Sequence, residues 1–348
     1  MAYTNIDDPS AHFQTLTYTG NSSSPRDLVN DGNSDLQPDL VWVKGRSHAD
    51  IHLLYDSSRG GGNFLRSAST AAENTGGFGV TAFNSDGFRT NAYTYTNENT
   101  HTYVAWQWKA NGGTTSSNTD GSITSTVQAD TDAGFSIITY TGNATNSTVG
   151  HGLGVQPSVI INKKRGSTAS WSVWHSALLG TQLLELNTTG ATATVPAIWN
   201  STVPTSSVFS IGTDGQTNSN NTTYVTYAFA EKQGYSKFGS YVGNGNADGP
   251  FIYTGFKPAF VLVKSSSATH NWHILDNKRD PENVVDKYVN PDNDVAEATF
   301  TFGDFLSNGF KWRSSSGTSF NENGTSYIYM AFAENPFVTS TGIPTTAR

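Results

Sequence analysis

Alternating apolar and polar positions are clearest in three segments, at 102–110, 223–231 and 326–334, which read TYVAWQWKA, TYVTYAFAE and SYIYMAFAE. A two-residue period puts successive side chains on opposite faces of a β-strand. One face of each segment is apolar, and we predict that it faces a core: Val104, Trp106 and Trp108; Val225, Tyr227 and Phe229; Ile328, Met330 and Phe332. The other face mixes tyrosines with small residues. Two interpretations of it stay open, solvent or a neighbouring backbone or domain.

Short continuous apolar runs mark a second set of strands. They read LVWV at 40–43, VIIN at 159–162 and FVLV at 260–263. Runs of this length are typical of fully buried strands. Each run lies between a proline and a lysine six residues apart: Pro38 and Lys44, Pro157 and Lys163, Pro258 and Lys264.

The same features recur three times in the same order. Each set begins with a Tyr-x-Gly-Asn motif: TYTGN at 17–21, TYTGN at 139–143 and SYVGN at 240–244. An Asp-Gly or Asn-Gly pair, suited to tight turns, precedes each closing segment: Asp86-Gly87, Asp214-Gly215 and Asn308-Gly309. Sequence motifs that recur in the same order at similar spacing indicate that one domain sequence has been duplicated. We therefore predict repeat 1 (1–112), repeat 2 (113–234) and repeat 3 (235–348), with a flexible linker at 111–120 and an extended tail after Pro336.

Composition narrows the fold class. Charged residues make up only 14% of the chain and aromatic residues 12%, with many Ser, Thr, Asn and Gly residues. Such a composition favours strands and turns over helices. We predict an all-β protein made of three tandem antiparallel β-sandwich domains.

Charge and cysteine content exclude several classes. The net charge is −8 and the sequence contains no cysteine. An acidic chain without a basic stripe is not suited to nucleic acid, and zero cysteines exclude disulfides and thiolate metal sites. The first ten residues lack the basic and apolar parts of a signal peptide, and no apolar segment is long enough for membrane insertion. We expect synthesis in a host cytoplasm.

No catalytic motif emerges from the sequence. The most suggestive position lies twelve residues after each shared lysine, at Asp56, His175 and Asp276. Arg59 and Arg279 follow the two aspartates at a spacing of three, whereas Leu178 follows His175. We predict two structural ion pairs, Asp56–Arg59 and Asp276–Arg279. We expect no enzymatic activity, no cofactor and no metal site.

Aromatic residues near this position are candidates for glycan binding. Sugar rings stack on aromatic faces beside polar side chains. The candidate ligand-binding residues lie in repeats 2 and 3: Trp171, Trp174, His175, Trp272 and His273. The alternative is that the tryptophans fill a core, which we favour for any single residue.

Several motifs together resemble a family. They are IDDPSAHFQTLTYTGN (6–21), PDLVWVKGRS (38–47), LYDSSRG (54–60), WHILDNKRDP (272–281) and YIYMAFAENPF (327–337). They are similar to a repeat of virion proteins from marine tailed phages, of the cyanophage and pelagiphage type, including tail-fibre-like proteins. Repeat 2 departs furthest from the pattern. The resemblance implies a jelly-roll or concanavalin-like sandwich and a place on the virion.

The resemblance leaves the task of the protein open. We expect a non-enzymatic virion surface protein, tail- or fibre-associated or capsid-decorating, that contributes to host adhesion. Other capsid or tail proteins, a host surface glycan and further copies of the chain in a homo-oligomer are the expected partners. The alternatives are a carbohydrate-binding module array or glycan depolymerase, and a purely structural capsid cement.

Overall fold

The computed structural model describes residues 2–315 and 318–345. Repeat 1 contains a 3-10 turn (Pro9–Ala11), the short helix α1 (Thr94–Asn97) and these strands: β1 (Phe13–Thr19), β2 (Arg26–Leu28), β3 (Leu40–Gly45), β4 (Leu53–Asp56), β5 (Leu65–Arg66), β6 (Val80–Phe83), β7 (Phe88–Thr90) and β8 (Thr102–Trp108).

Repeat 2 contains helix α2 (Gly215–Asn218) and these strands: β9 (Ser116–Asn118), β10 (Ser125–Asp130), β11 (Phe135–Thr141), β12 (Ser147–Gly150), β13 (Val159–Lys164), β14 (Ser172–His175), β15 (Gln182–Glu185), β16 (Ala193–Thr194), β17 (Val208–Ile211) and β18 (Thr223–Phe229). Because β9 pairs with β10, part of the predicted linker is a strand.

Repeat 3 contains helix α3 (Thr318–Asn321) and these strands: β19 (Ser236–Val242), β20 (Phe251–Tyr253), β21 (Phe256–Ser265), β22 (His273–Asp276), β23 (Val285–Tyr288), β24 (Ala298–Leu306), β25 (Gly309–Trp312) and β26 (Ser326–Pro336). The predicted tail follows, and Phe337 donates its N–H to the carbonyl of Gly255. Residues 346–348 of that tail lie outside the described residues.

The protein is all-β, and the described strands form several antiparallel sheets. The larger sheets have the orders β1-β8-β3-β4-β5, β16-β15-β14-β13-β18-β11-β10-β9 and β19-β26-β21-β22, and the smaller ones β2-β7-β6, β12-β17 and β20-β25-β24-β23. Every larger sheet therefore contains the same set of three adjacent strands. An opening strand (β1, β11, β19) pairs with a closing strand (β8, β18, β26), which pairs with a proline strand (β3, β13, β21).

The apolar face of the closing strands packs between repeats. Trp108, Phe229 and Phe332 occupy the same position of β8, β18 and β26 and form one layer. Their ring centroids lie 6.2 Å (Trp108–Phe229), 5.6 Å (Trp108–Phe332) and 5.8 Å (Phe229–Phe332) apart. Three equivalent residues in mutual contact define a pseudo-threefold arrangement of the repeats. The core predicted for this face is thus one core shared by all three.

The opposite face of the closing strands is also buried. Tyr103 and Ala105 of β8 belong to a cluster with Leu28, Val80 and Phe88, which come from the smaller sheet of repeat 1. Tyr327 and Ala331 of β26 belong to a corresponding cluster in repeat 3. Solvent is therefore the wrong interpretation of this face, because each larger sheet is covered on one side by its own repeat and on the other by its neighbours.

Candidate functional site at the junctions between repeats

Three buried lysines link the repeats in a cycle. Lys44, Lys163 and Lys264 are the second-last residues of the proline strands, on the face that looks toward the neighbouring repeats, and all three are fully buried. Each donates to a carbonyl of its own repeat and to a carbonyl of the preceding repeat, where repeat 3 precedes repeat 1 in the cycle. The acceptors in the neighbour are Asp294 O (3.3 Å from Lys44 Nζ), Thr70 O (3.0 Å from Lys163 Nζ) and Thr189 O (3.1 Å from Lys264 Nζ). Burial lowers the pKa of each ammonium to about 8. These three lysines, called the anchor lysines, therefore hold loops of neighbouring repeats together at the junctions.

The junction between repeats 1 and 2, called junction 1/2, contains a buried charge network. Arg59 pairs with Asp56 and lies 2.8 Å from the carboxylate of Glu73, and both arginine and aspartate side chains are fully buried. Repeat 2 completes the network, since the Tyr227 hydroxyl donates to Asp56 over 2.7 Å and Arg165 binds Glu73 over 2.8 Å. Burial alone would raise the pKa of Glu73, but the two arginines hold it below its usual value.

Junction 3/1 repeats this arrangement. Arg279 pairs with the buried Asp276 over 2.6 Å and with Glu297 over 3.2 Å. From repeat 1, the Trp106 Nε1–H donates to Asp276 over 3.0 Å and Arg46 binds Glu297 over 2.8 Å. Trp106 and Tyr227 occupy the same position of their closing strands. The two ion pairs predicted from the three-residue spacing are therefore present, each within a network that crosses a junction.

Junction 2/3 lacks the buried network of aspartate, arginine and glutamate. His175 and Leu178 stand where the other junctions have Asp and Arg, and Met330 stands where they have Trp106 or Tyr227. The His175 Nε2–H donates to the carbonyl of Tyr329 over 3.2 Å, and its Nδ1 accepts from the N–H of Ala177 over 3.0 Å. Burial lowers the pKa of His175 to about 4, so that the ring is neutral. Apart from the Lys264 ammonium, this junction is held by packing and by hydrogen bonds between neutral groups.

The five candidate glycan-binding residues are all inside the protein. Their relative exposures are 0% for Trp171 and His175, 2% for Trp174 and Trp272, and 5% for His273. Sugar stacking requires an exposed aromatic face, so the glycan-binding assignment of these residues is not supported by their positions. Trp171, Trp174 and Trp272 belong to the hydrophobic core, as the alternative interpretation holds.

Two of these tryptophans belong to the junctions. Trp171 donates its Nε1–H to the carbonyl of Arg66 in repeat 1 over 2.8 Å, and Trp272 donates to the carbonyl of Glu185 in repeat 2 over 3.1 Å. His273 instead packs within repeat 3, with ring centroids 5.2 Å from Tyr288 and 5.3 Å from Phe302. Burial lowers the pKa of His273 to about 3.

Sequence reasoning missed the acidic residues that bridge the arginines. Glu73 and Glu297 have Thr192 as their counterpart in repeat 2, because the N–H groups of all three donate to equivalent carbonyls across the junctions. Because repeat 2 has a threonine there, this position does not carry an acidic residue in all three repeats. The anchor lysines were visible at matching positions of the three repeats, but the strand pattern did not predict their burial, because lysine is usually exposed.

The described residues offer neither a metal centre nor a membrane-spanning helix. Within residues 2–315 and 318–345, no three His, Cys, Asp or Glu side chains are grouped so that they could hold a metal ion. Over the same part of the chain, no helix has the length and apolar character needed to cross a membrane.

An open groove lies at junction 3/1, along the free edge of β1. Its walls come from repeats 1 and 3, and an exposed ion pair between Lys278 and Asp31 spans it over 2.6 Å. The lining includes Gln14, Thr15 and Asn277. The Thr15 hydroxyl is buried and has no hydrogen-bond partner among the described residues. We call this surface the β1 groove.

A family profile matches residues 8–336, nearly the whole chain, and is described as a domain of unknown function (DUF7483). The chain belongs to this family. No curated protein and no solved structure matches it. The match runs from the turn before β1 to the end of β26, so DUF7483 describes the three-repeat unit as a whole.

Proposed function

We propose that this DUF7483 protein is a non-enzymatic surface protein of a phage particle. In this proposal three jelly-roll or concanavalin-like sandwich domains dock on capsid or tail proteins, and the exposed loops contribute to host adhesion. The sequence resemblance to phage virion proteins supports the location. A cysteine-free chain with a shared core suits a protein that must stay folded outside a cell without disulfides.

The observation that carries the non-enzymatic part is the placement of the charged residues. The side chains most suggestive of chemistry in the sequence, Asp56, His175 and Asp276, are fully buried at the junctions. Each already has hydrogen-bond partners there. A catalytic acid or base must reach a substrate, whereas these groups reach a neighbouring repeat.

The same placement weighs against the carbohydrate-binding alternative, because the five residues that motivated it are buried. A purely structural cement remains the second candidate. The cyclic lysine contacts and the shared aromatic layer favour the cement role, because they join the three repeats into one unit without a bound ligand.

Density maps of intact particles from the phage that encodes this chain test the proposal. We expect the three repeats to be traceable on the capsid lattice or at the tail, with the pseudo-threefold core intact. Particles whose density and protein content both lack the chain would overturn the proposal.

A competition experiment separates adhesion from cement. Purified chain is mixed with host cells before phage is added, and the adsorption rate is measured. An adhesion protein should slow adsorption as its concentration rises, whereas a cement should leave it unchanged. Chain unfolded by heat beforehand is the matched control, because it has the same composition and charge without the surface.

A further inference from the structure

The edge of the larger sheet is treated differently in repeats 1 and 2. In repeat 2 the opening strand β11 is covered by β10, which pairs with it antiparallel in the register Asp130↔Phe135, Gln128↔Ile137 and Thr126↔Thr139. In repeat 1 the equivalent strand β1 is the last strand of its sheet. The chain before β1 turns away as a 3-10 turn at Pro9–Ala11, so it does not supply a covering strand.

Backbone groups of β1 point into the β1 groove. Gly20 donates to His101 and Lys109 donates to His12, which shows that the even-numbered residues of β1 bond to β8. In an antiparallel pair the residues between them direct N–H and C=O to the opposite side. Phe13, Thr15 and Thr17 therefore present main-chain donors and acceptors at the open edge, in the positions from which Phe135, Ile137 and Thr139 bind β10.

The far wall of the groove is also equivalent to the wall that β10 contacts. Gln128 of β10 donates to the hydroxyls of Ser57 and Ser58 in repeat 1, both over 2.9 Å. These two serines follow Asp56 as Asn277 and Lys278 follow Asp276. The β1 groove thus has a strand edge on one side and polar side chains on the other, which is the environment of β10 without β10.

We propose that the β1 groove binds an extended segment of a partner protein, which adds to β1 as an antiparallel strand. Main-chain hydrogen bonds supply the affinity in this mode, and side-chain contacts supply the specificity. The Lys278–Asp31 pair across the groove is exposed on both sides, so displacing it costs little. The strand-addition site stands apart from the proposed function, and only the identity of the partner as a particle protein rests on it.

The groove also indicates which side chain the partner presents. Lys278 and the Asn277 amide offer donors where Ser57 and Ser58 offer hydroxyls, and the buried Thr15 hydroxyl is unpartnered. A lysine ammonium has donors only. The segment should therefore carry a glutamate or glutamine opposite Thr15, in the place that Gln128 takes opposite Ile137.

A labelled peptide of residues 122–132, with Gln128→Glu, is a suitable probe because it contains the sequence of β10. Fluorescence anisotropy is measured with the full chain. We expect saturable binding that Thr15→Pro weakens about tenfold or more. Proline removes the N–H of Thr15 that points into the groove, together with the Thr15 hydroxyl, and edge strands tolerate proline at such a position.

The matched control is Ser240→Pro in β19, where the N–H also points away from the closing strand. This variant should bind the peptide as the unmodified chain does. If Thr15→Pro does not fold, Asn277→Trp fills the groove from repeat 3 and should abolish binding. No binding of the probe, or equal binding by the unmodified chain and both groove variants, would overturn the proposal.

Two further outcomes would assign the groove differently. Photo-crosslinking from the peptide should label β1, and labelling of β19 instead would overturn the site. Light scattering of the chain alone should show no dimer that Thr15→Pro dissociates. Such a dimer would make a second copy of this chain the occupant, which also overturns the proposal of a partner protein.

Discussion

Junctions 1/2 and 2/3 solve the same packing problem with different chemistry. At junction 1/2, Asp56, Arg59 and Glu73 are buried against Tyr227 and Arg165. At junction 2/3 the corresponding residues are neutral or apolar, namely His175, Leu178, Thr192, Met330 and Ser266. Both junctions nevertheless keep the anchor lysine and the backbone hydrogen bond beside it. The shared backbone contacts therefore define the geometry, and the charges are an addition that one junction does without.

This difference has an energetic meaning. A buried ion pair recovers in attraction roughly what it loses in desolvation, so replacing the whole pair with apolar residues is often neutral. Removing one partner is costly, because the other charge stays buried and unpaired. Junction 2/3 is the fully replaced version of junction 1/2, which makes the comparison testable by exchange.

Breaking the pair should have the largest effect. Asp56→Ala leaves Arg59 buried beside Tyr227 without its main counter-ion, and we expect a loss of about 3–5 kcal/mol in the free energy of unfolding. Urea unfolding followed by tryptophan fluorescence measures the loss. The triple variant Asp56→His, Arg59→Leu, Tyr227→Met copies the centre of junction 2/3, keeps the Glu73–Arg165 pair, and should lose much less. Equal losses in the single and triple variants would show that the charges do not set the cost.

Acid should weaken junction 2/3 through His175. The folded pKa is about 4, because of burial, and the unfolded pKa is near ~6.5. Between these values the unfolded state takes up a proton that the folded state does not. Stability therefore falls as pH falls through this window, by about 2–3 kcal/mol for this residue near pH 4.

The control for this effect is His175→Met, which cannot titrate; it loses the hydrogen bonds to Tyr329 and Ala177 at both pH values alike. Urea unfolding at pH 7 and pH 4.5 should show a smaller acid loss in the variant than in the unmodified chain. Other buried histidines titrate equally in both proteins. An identical acid loss would place the sensitivity elsewhere.

The outer ion pairs should have the smallest effect. Arg165→Ala removes a side chain that is 22% exposed from its pair with Glu73, and we expect a loss of about 1 kcal/mol. The loss should shrink in 1 M salt, because partly exposed pairs are screened. Ser266→Ala, at the matching position of junction 2/3, should cost less than about 0.5 kcal/mol and show no salt dependence. A larger loss for Ser266→Ala would reverse the comparison.

Local patterns predicted the strands well, because alternation and turn residues act within a few positions. The spacing of Asp56 and Arg59 also predicted their ion pair, since three residues in a tight loop bring the two side chains together. The partners Tyr227 and Trp106 lie 171 and 170 residues away from the aspartates they bind. No local pattern encodes such a contact.

The candidate glycan site shows the same limit. The sequence shows where the aromatic residues lie along the chain. It does not distinguish an exposed aromatic face from one that packs against another repeat. Trp171 and Trp272 serve the second purpose. Each indole N–H donates to a carbonyl of the neighbouring repeat, a contact that no pattern within one repeat encodes.

The chain's own alternation and duplication therefore predict three copies of a strand pattern with one apolar face on each closing strand, and they leave the surroundings of the other face open. The cyclic arrangement comes from the fold in three dimensions. It decides that Trp108, Phe229 and Phe332 meet in one layer, that each anchor lysine reaches into the preceding repeat of the cycle, and that β1 keeps an open edge while β11 does not. The physical reason is range: strand periodicity depends on neighbours two residues apart, whereas a junction depends on matching surfaces more than a hundred residues apart.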